Sequence, residues 1–147
     1  MRALVQRVSE ASVSVGGAVT GLIGSGLLVF LGIHRNDSEP QVEQVAGKVL
    51  RLRVFPDDEG KMNRSLIDIS GELLVISQFT LYGDTRKGNR PSYSEAAAPE
   101  KARQLYERFI GVCRQAGVKV ETGVFQAHMD VRLVNDGPVT LMCYSEP

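Results

Sequence analysis

Residues 71–82, Gly-Glu-Leu-Leu-Val-Ile-Ser-Gln-Phe-Thr-Leu-Tyr, constrain the fold more than any other stretch of the chain. Leu73, Leu74, Val75 and Ile76 are apolar without alternation, the pattern of a central strand covered on both faces, and Gly71 and Gly83 bracket the run. Only residues 27–33 approach this apolar density. The run then passes into Ser77, Gln78 and Thr80, two hydroxyls and a carboxamide that need hydrogen-bond partners if buried. Those partners are either neighbouring main chain at a strand end or a substrate, and the stretch alone leaves both open.

A chain of 147 residues suits a single domain, 1–147, able to bury about two thirds of the surface that its unfolded form exposes. With 43% apolar and 23% charged residues it has the balance of a soluble protein, and no apolar run approaches the roughly 20 residues of a membrane span. The N-terminus turns amphipathic at once and has no signal-peptide pattern, so the expected location is cytoplasmic. Cys113 and Cys143 lie far apart in different predicted elements and are expected to be packed, reduced thiols. Net charge is zero, which argues against coating nucleic acid by bulk electrostatics. Local clusters remain: Arg86, Lys87 and Arg90 in a glycine-containing loop, and Lys48, Arg51 and Arg53 near a predicted helix end. They are either a phosphate-facing patch or solvated charges.

The β-branched residues of 4–15, followed by Gly16-Gly17 and residues 18–23, predict a hairpin. With residues 27–33 they make three expected antiparallel neighbours. Ser38 is a candidate helix cap with Gln41 at the capping-box position, and Val42, Val45, Ala46, Val49 and Leu52 form one stripe of the helix that follows. Val54-Phe55 is a short strand, and 57–60, Asp-Asp-Glu-Gly, is a turn because the alternating oxygen ligands of a calcium loop are missing. Residues 83–98 form a long polar loop of the functional kind. Pro99 opens a second helix, with Ala102, Leu105, Tyr106, Phe109, Ile110 and Cys113 at helical spacing and Gly117 as its stop. Residues 118–125, 129–134 and 139–144 complete about nine expected strands. The expected fold class is α+β, with mostly antiparallel, strongly curved, barrel-like sheets and two helices packed on one side.

The chain has no Gly-x-Ser-x-Gly elbow, P-loop, dinucleotide glycine pattern or His-Glu-x-x-His motif, and no metal site or cofactor is expected. Its two histidines, His34 and His128, are both remote in sequence from Ser77 and Thr80. A second informative stretch is 135–140, Asn-Asp-Gly-Pro-Val-Thr. Pro138 cannot donate to a strand ladder and Gly137 tolerates unusual backbone, so these residues alone predict a tight turn between strands.

Taken together, Ser77-Gln78-Phe79-Thr80-Leu81 and Asn135-Asp136-Gly137-Pro138-Val139-Thr140 resemble the paired signature of the D-aminoacyl-tRNA deacylases. The resemblance runs along the chain, through Ala3 to Val8, Gly60-Lys61-Met62-Asn63 and Arg90-Pro91-Ser92. It implies a homodimer, with its active site at the subunit interface, that hydrolyses the ester between a D-amino acid and the 3′ end of tRNA and also removes mischarged glycine. It assigns Ser77, Gln78, Phe79 and Thr80 to catalysis, and Gly137, Pro138, Asn135, Met129, Phe125 and Arg7 to substrate binding. It makes Arg86, Lys87, Arg90, Arg51 and Arg53 the candidates for RNA contact. It further implies a cis Gly137–Pro138 bond acting as a chirality filter in the partner's pocket, with Arg7 bracing that loop.

The chemistry suits these residues, because an aminoacyl ester is already activated and needs a placed water and a stabilised oxyanion more than a strong base. Backbone N–H groups near Phe79 and Thr80 are the candidate donors, with the ribose 2′-hydroxyl assisting as the family implies. Thr80 as nucleophile is the rival. Strand alternation sets Ser77 and Thr80 on opposite faces, so both serve one pocket only if the strand bulges or ends between them. A nucleic-acid-binding dimer of the same fold without catalysis is the alternative function. A small-ester hydrolase would need a general base that the sequence does not display.

Overall fold

The computed structural model of the protein describes residues 1–145. The chain runs β1 (Arg2–Val15), β2 (Ala18–Ile23), β3 (Gly26–Gly32), α1 (Glu39–Arg51), β4 (Phe55–Pro56), β5 (Met62–Arg64) and β6 (Glu72–Ser77). A 3₁₀ turn (Phe79–Tyr82), α2 (Pro99–Gln115), β7 (Lys119–Thr122) and β8 (Asp130–Tyr144) follow. The hairpin turn at Gly16 and Gly17 has φ of 57° and 82°, a left-handed pair that glycine adopts without penalty.

β1 organises the sheet. Its C-terminal half pairs with β2 and its N-terminal half with β3, both antiparallel, while β8 pairs with it from Arg2↔Tyr144 to Ser14↔Asp130. β2 and β3 are therefore both partners of β1 and do not pair with each other, in contrast to three strands in sequential hairpins. Beyond β3, β6 joins in parallel (Gly26↔Glu72 to Leu31↔Ser77), and β7 joins β6 in parallel. The pairings are mostly antiparallel, as expected, and the exceptions are the two that β6 makes. α1 and α2 lie in the two connections, and a strand returned by a helical crossover arrives parallel. The sheet curls into a nearly closed barrel: β2 comes round to β7, where a Cβ on Gly21 would sit 2.7 Å from Thr122 O.

Alternation along the strands sorts two apolar clusters. Leu27, Val29, Leu31, Leu73 and Val75 face the helices and pack with Val42, Val45, Val49, Leu105, Phe109 and Cys113. Leu28, Leu74 and Ile76 point to the inside of the curve, against Val8, Val13 and Ile23. β6 is thus apolar on both faces because both are covered. At the start of α1, the Gln41 carboxamide oxygen accepts from the Ser38 N–H and hydroxyl, each at 2.8 Å.

Two expected boundaries shift. The last expected strands, 129–134 and 139–144, are one strand, β8, and the closing β7 is only four residues long. Pro138 does not split β8 because β1 skips it: Gln6 pairs with Thr140 and Val8 with Asn135, leaving 136–139 as a bulge.

Candidate active site

β6 stops at Ser77, and the chain turns at once into the 3₁₀ turn, so the expected irregularity between Ser77 and Thr80 is the end of the strand itself. The Gln78 N–H still donates to Leu31 O at 2.8 Å, one residue past the ladder. The Gln78 Nε2 donates a short hydrogen bond to Thr80 Oγ1. Among the described residues, the first N–H groups of the turn, those of Phe79 and Thr80, have no main-chain acceptor, as at the start of any helical turn. Arg2 holds the far end, with its guanidinium 4.5 Å from the Tyr82 ring centroid and Nη1 donating to Leu81 O at 3.0 Å.

A cavity of about 650 Å³ opens beside this strand end. Ile76, Ser77, Gln78 and Phe79 line it from the strand end, and Tyr106 lines it from α2. The Tyr106 hydroxyl donates to Val75 O at 2.8 Å, and burial pushes its pKa up to about 12, so it stays neutral. Tyr93, Ala96 and Ala97 come from the long loop, which is fastened to the end of β3 by Arg35 N–H to Glu95 O and Ala97 N–H to Ile33 O, both 2.9 Å. Residues 125–129 form a further wall and belong to the loop between β7 and β8, so Phe125 and Met129, expected at strand ends, lie outside the strands. A Cβ on Gly123 would run into Met129 Sδ and Ile76, which lets this loop lie flat on the β6 end.

Of the sequence-predicted residues, Ser77, Gln78, Phe79, Phe125 and Met129 therefore line one cavity, with Thr80 one hydrogen bond outside it. Tyr93, Tyr106 and His128 also line it and were not predicted. Their signal in the sequence is weak, because Tyr106 belongs to a helical apolar stripe and the other two to loops. Among the described residues, no hydrogen bond joins either histidine to Ser77 or Thr80; His128 faces Asp130 at 3.7 Å and is 95% exposed. No Ser-His pair is formed.

Gly137, Pro138, Asn135 and Arg7 do not line this cavity. They form the β8 bulge, where the Gly137–Pro138 bond is cis, as the resemblance implies. Arg7, only 11% exposed, donates from Nε to Asp136 O at 2.8 Å and from Nη1 to Val54 O. The Asn135 carboxamide donates to both Arg7 O (3.0 Å) and Val139 O (3.1 Å), stapling the two ends of the bulge. Gly137 and Pro138 themselves are exposed.

The basic candidates separate as well. The loop carrying Arg86, Lys87 and Arg90 is closed at its base by paired hydrogen bonds between Asp84 and Ser92, 2.7 and 3.0 Å. Arg86 grips the Asp84 carboxylate with Nε (2.9 Å) and Nη2 (2.6 Å), which holds that carboxyl at about 2, so the pair persists through neutral pH. Lys87 and Arg90 are exposed and, among the described residues, have no acidic partner. Arg51 and Arg53 sit at and just beyond the end of α1, exposed and outside the cavity wall.

Comparison with known proteins converges on one family. The family model described as D-Tyr-tRNA(Tyr) deacylase matches residues 4–144. A D-aminoacyl-tRNA deacylase of Thermotoga petrophila is 59% identical over 142 residues, 97% of this chain and 95% of the relative. One of Thermosipho africanus is 56% identical over 146 residues, 99% of this chain and 98% of the relative. The solved structure of the c-Myc DNA Unwinding Element Binding Protein covers 100% of both chains with a TM-score of 0.94 at 40% identity. The two intact motifs, the curled sheet and these matches make the chain a member of the D-Tyr-tRNA(Tyr) deacylase family, enzymes that hydrolyse aminoacyl-tRNA.

Proposed function

We propose that this chain hydrolyses the ester between a D-amino acid and the 3′-terminal adenosine of tRNA, and removes glycine from mischarged glycyl-tRNA by the same route. The observation that carries this reading is the meeting of the β6 end, with its two N–H groups that have no main-chain acceptor among the described residues, and a largely apolar cavity of about 650 Å³. The terminal adenosine lies among Tyr106, Phe125 and Met129, which sets the ester against Ser77 and Gln78. A water oxygen adds to the ester carbonyl carbon, and the developing oxyanion accepts from the Phe79 and Thr80 N–H groups. The carbon–oxygen bond to the ribose then breaks, the ribose oxygen takes one proton of the water, assisted by the 2′-hydroxyl, and the amino acid leaves as its carboxylate with the second proton released to solvent. Ser77, Gln78 and Thr80 position these groups. No histidine is needed.

The active unit in this reading is a homodimer. β8 hydrogen-bonds only to β1 among the described strands, leaving its outer edge open, and Val134, Leu141, Met142 and Tyr144 are 42–63% exposed along it. The bulge carrying Gly137 and Pro138 stands on that strand, outside its own chain's cavity, so in the dimer it enters the second copy's cavity. Its main chain there receives the substrate's α-amino group. With amine and ester both fixed, an L side chain is driven into main chain, a D side chain points away, and glycine passes because it has none.

A deacylation panel with D-aminoacyl-, L-aminoacyl- and glycyl-tRNA tests the reading. Hydrolysis of the D and glycyl esters with the L ester spared is expected. The 40% identical protein named for binding a DNA element favours one second reading, a nucleic-acid-binding dimer without catalysis. Nucleic-acid binding without release of any amino acid would establish that reading instead.

A further inference from the structure

We infer that Tyr93, together with Phe79, forms a stacking platform for the base of the nucleotide that precedes the esterified adenosine. The inference rests on the deacylase reading and extends it along the RNA strand. Phe79 and Tyr93 are 56% and 39% exposed, large aromatic rings at the cavity mouth left open to solvent. Their centroids are 5.0 Å apart at an interplanar angle of 70°. An edge-to-face pair cannot cover both faces of both rings, so the platform keeps an open aromatic face. The Tyr93 ring is itself seated, since a Cβ on Gly83 would come within 3.1 Å of it.

Charge complementarity fixes the occupant. Tyr93 directly follows Ser92, the residue that closes the basic loop against Asp84. Within that loop Arg86 is committed to Asp84, while Lys87 and Arg90 have no acidic partner among the described residues. Seated aromatic rings at the foot of a loop that carries two exposed cations match a base with its flanking phosphodiesters, the combination by which proteins hold single-stranded nucleic acid. The rings at the mouth cannot serve the terminal adenosine, which occupies the cavity behind them among Tyr106 and Phe125. They serve the next base outward.

The test compares two substrates, the D-aminoacyl ester of adenosine and that of cytidylyl-(3′→5′)-adenosine, and reads the ratio of their kcat/KM values. The protein is expected to prefer the dinucleotide ester. Base stacking on an aromatic ring contributes about 1–3 kcal/mol, so Tyr93→Ala and Tyr93→Leu are expected to lower that ratio by roughly 5- to 150-fold. Tyr93→Phe should restore it. A second readout is the salt dependence of tRNA binding, whose log-log slope should fall by about one unit for Lys87→Ala or Arg90→Ala and hardly at all for Arg86→Ala. Equal losses on both esters would show that Tyr93 only shapes the adenosine cavity and would overturn the inference, as would an unchanged ratio or a failure of phenylalanine to rescue. If the unaltered protein hydrolyses neither ester, the deacylase reading falls and takes this inference with it. If it hydrolyses both without preference, this inference alone falls.

Discussion

The end of β6 and the bulge of β8 are both places where a strand is interrupted beside an arginine, and they differ in what surrounds the break. At 77–82 the interruption lies at the mouth of the chain's own cavity, with Arg2 gripping Leu81 O and the Tyr82 ring. At 136–139 it lies on an exposed strand edge, gripped by Arg7 and stapled by Asn135, outside the wall of the chain's own cavity. The first break is locally complete. The second is rigid main chain held outward, which has a use only if something comes to meet it. Pinning a loop with several hydrogen bonds while leaving it exposed prepares it for binding, and in the proposed dimer it is a second copy that meets it.

The largest expected effect comes from breaking the second site alone. A Cβ at Gly137 would run into the Asn135 carboxamide oxygen and lie 3.3 Å from Val139 N, so Gly137→Ala must shift the bulge. A displacement of about 1 Å is enough to cost on the order of 10²-fold, and deacylation of D-aminoacyl-tRNA should fall by that much or more, while stability drops only by the roughly 1–3 kcal/mol of the disturbed Asn135 hydrogen bonds. Co-expression with a chain whose cavity is blocked by Phe125→Arg sharpens the comparison. Random mixed dimers hold one intact composite site, so roughly a quarter of the activity should return. No recovery would place both breaks in service of the same chain.

Matching changes at the two arginines come next. Arg7→Met removes a largely buried guanidinium from Asp136 O and Val54 O. Each charge-assisted hydrogen bond contributes about 1.5–3 kcal/mol, so stability should drop by at least that much, with deacylation falling alongside it. Arg2→Met loses one such bond and a ring contact, and a smaller drop in urea unfolding is expected. A reversed order would mean that the β6 end is the more tightly held of the two.

Thr80→Ala should matter less. If backbone donors and the substrate's own hydroxyl carry the reaction, activity stays within about tenfold, and intact-mass spectrometry of a stalled reaction finds no acylated protein. An acyl adduct on Thr80 would turn the β6 end into a nucleophilic site. The smallest effect is in the thiols. Burial raises the Cys113 pKa to about 12 and raises that of Cys143 as well, so both favour the neutral form. Alkylation near pH 8 should be negligible in the folded protein, and in mild denaturant Cys143, on the edge strand beyond the bulge, should label before Cys113 in α2. Simultaneous labelling would mean that the β8 edge opens only with the whole fold.

The sequence by itself determined the elements whose signal is local. The unbroken apolar run of β6, the Gly16-Gly17 hairpin, the capping pair Ser38 and Gln41 and the helical stripe of α2 each follow from side-chain spacing or turn chemistry within a few residues. Both motifs were legible too, as was the need for β6 to break between Ser77 and Thr80. Only the tertiary structure decided pairing. β6 lies parallel to its neighbours because helices return the chain to the same end of the sheet, and no pattern within β6 records its direction. β8 stays one strand across Pro138 because β1 holds both sides of the bulge, a contact with residues more than 120 positions away. For the same reason Tyr93, Tyr106 and His128 were invisible as cavity residues. They reach the β6 end from a loop, a helix and a second loop, and distance in space has no counterpart in the spacing of a single sequence.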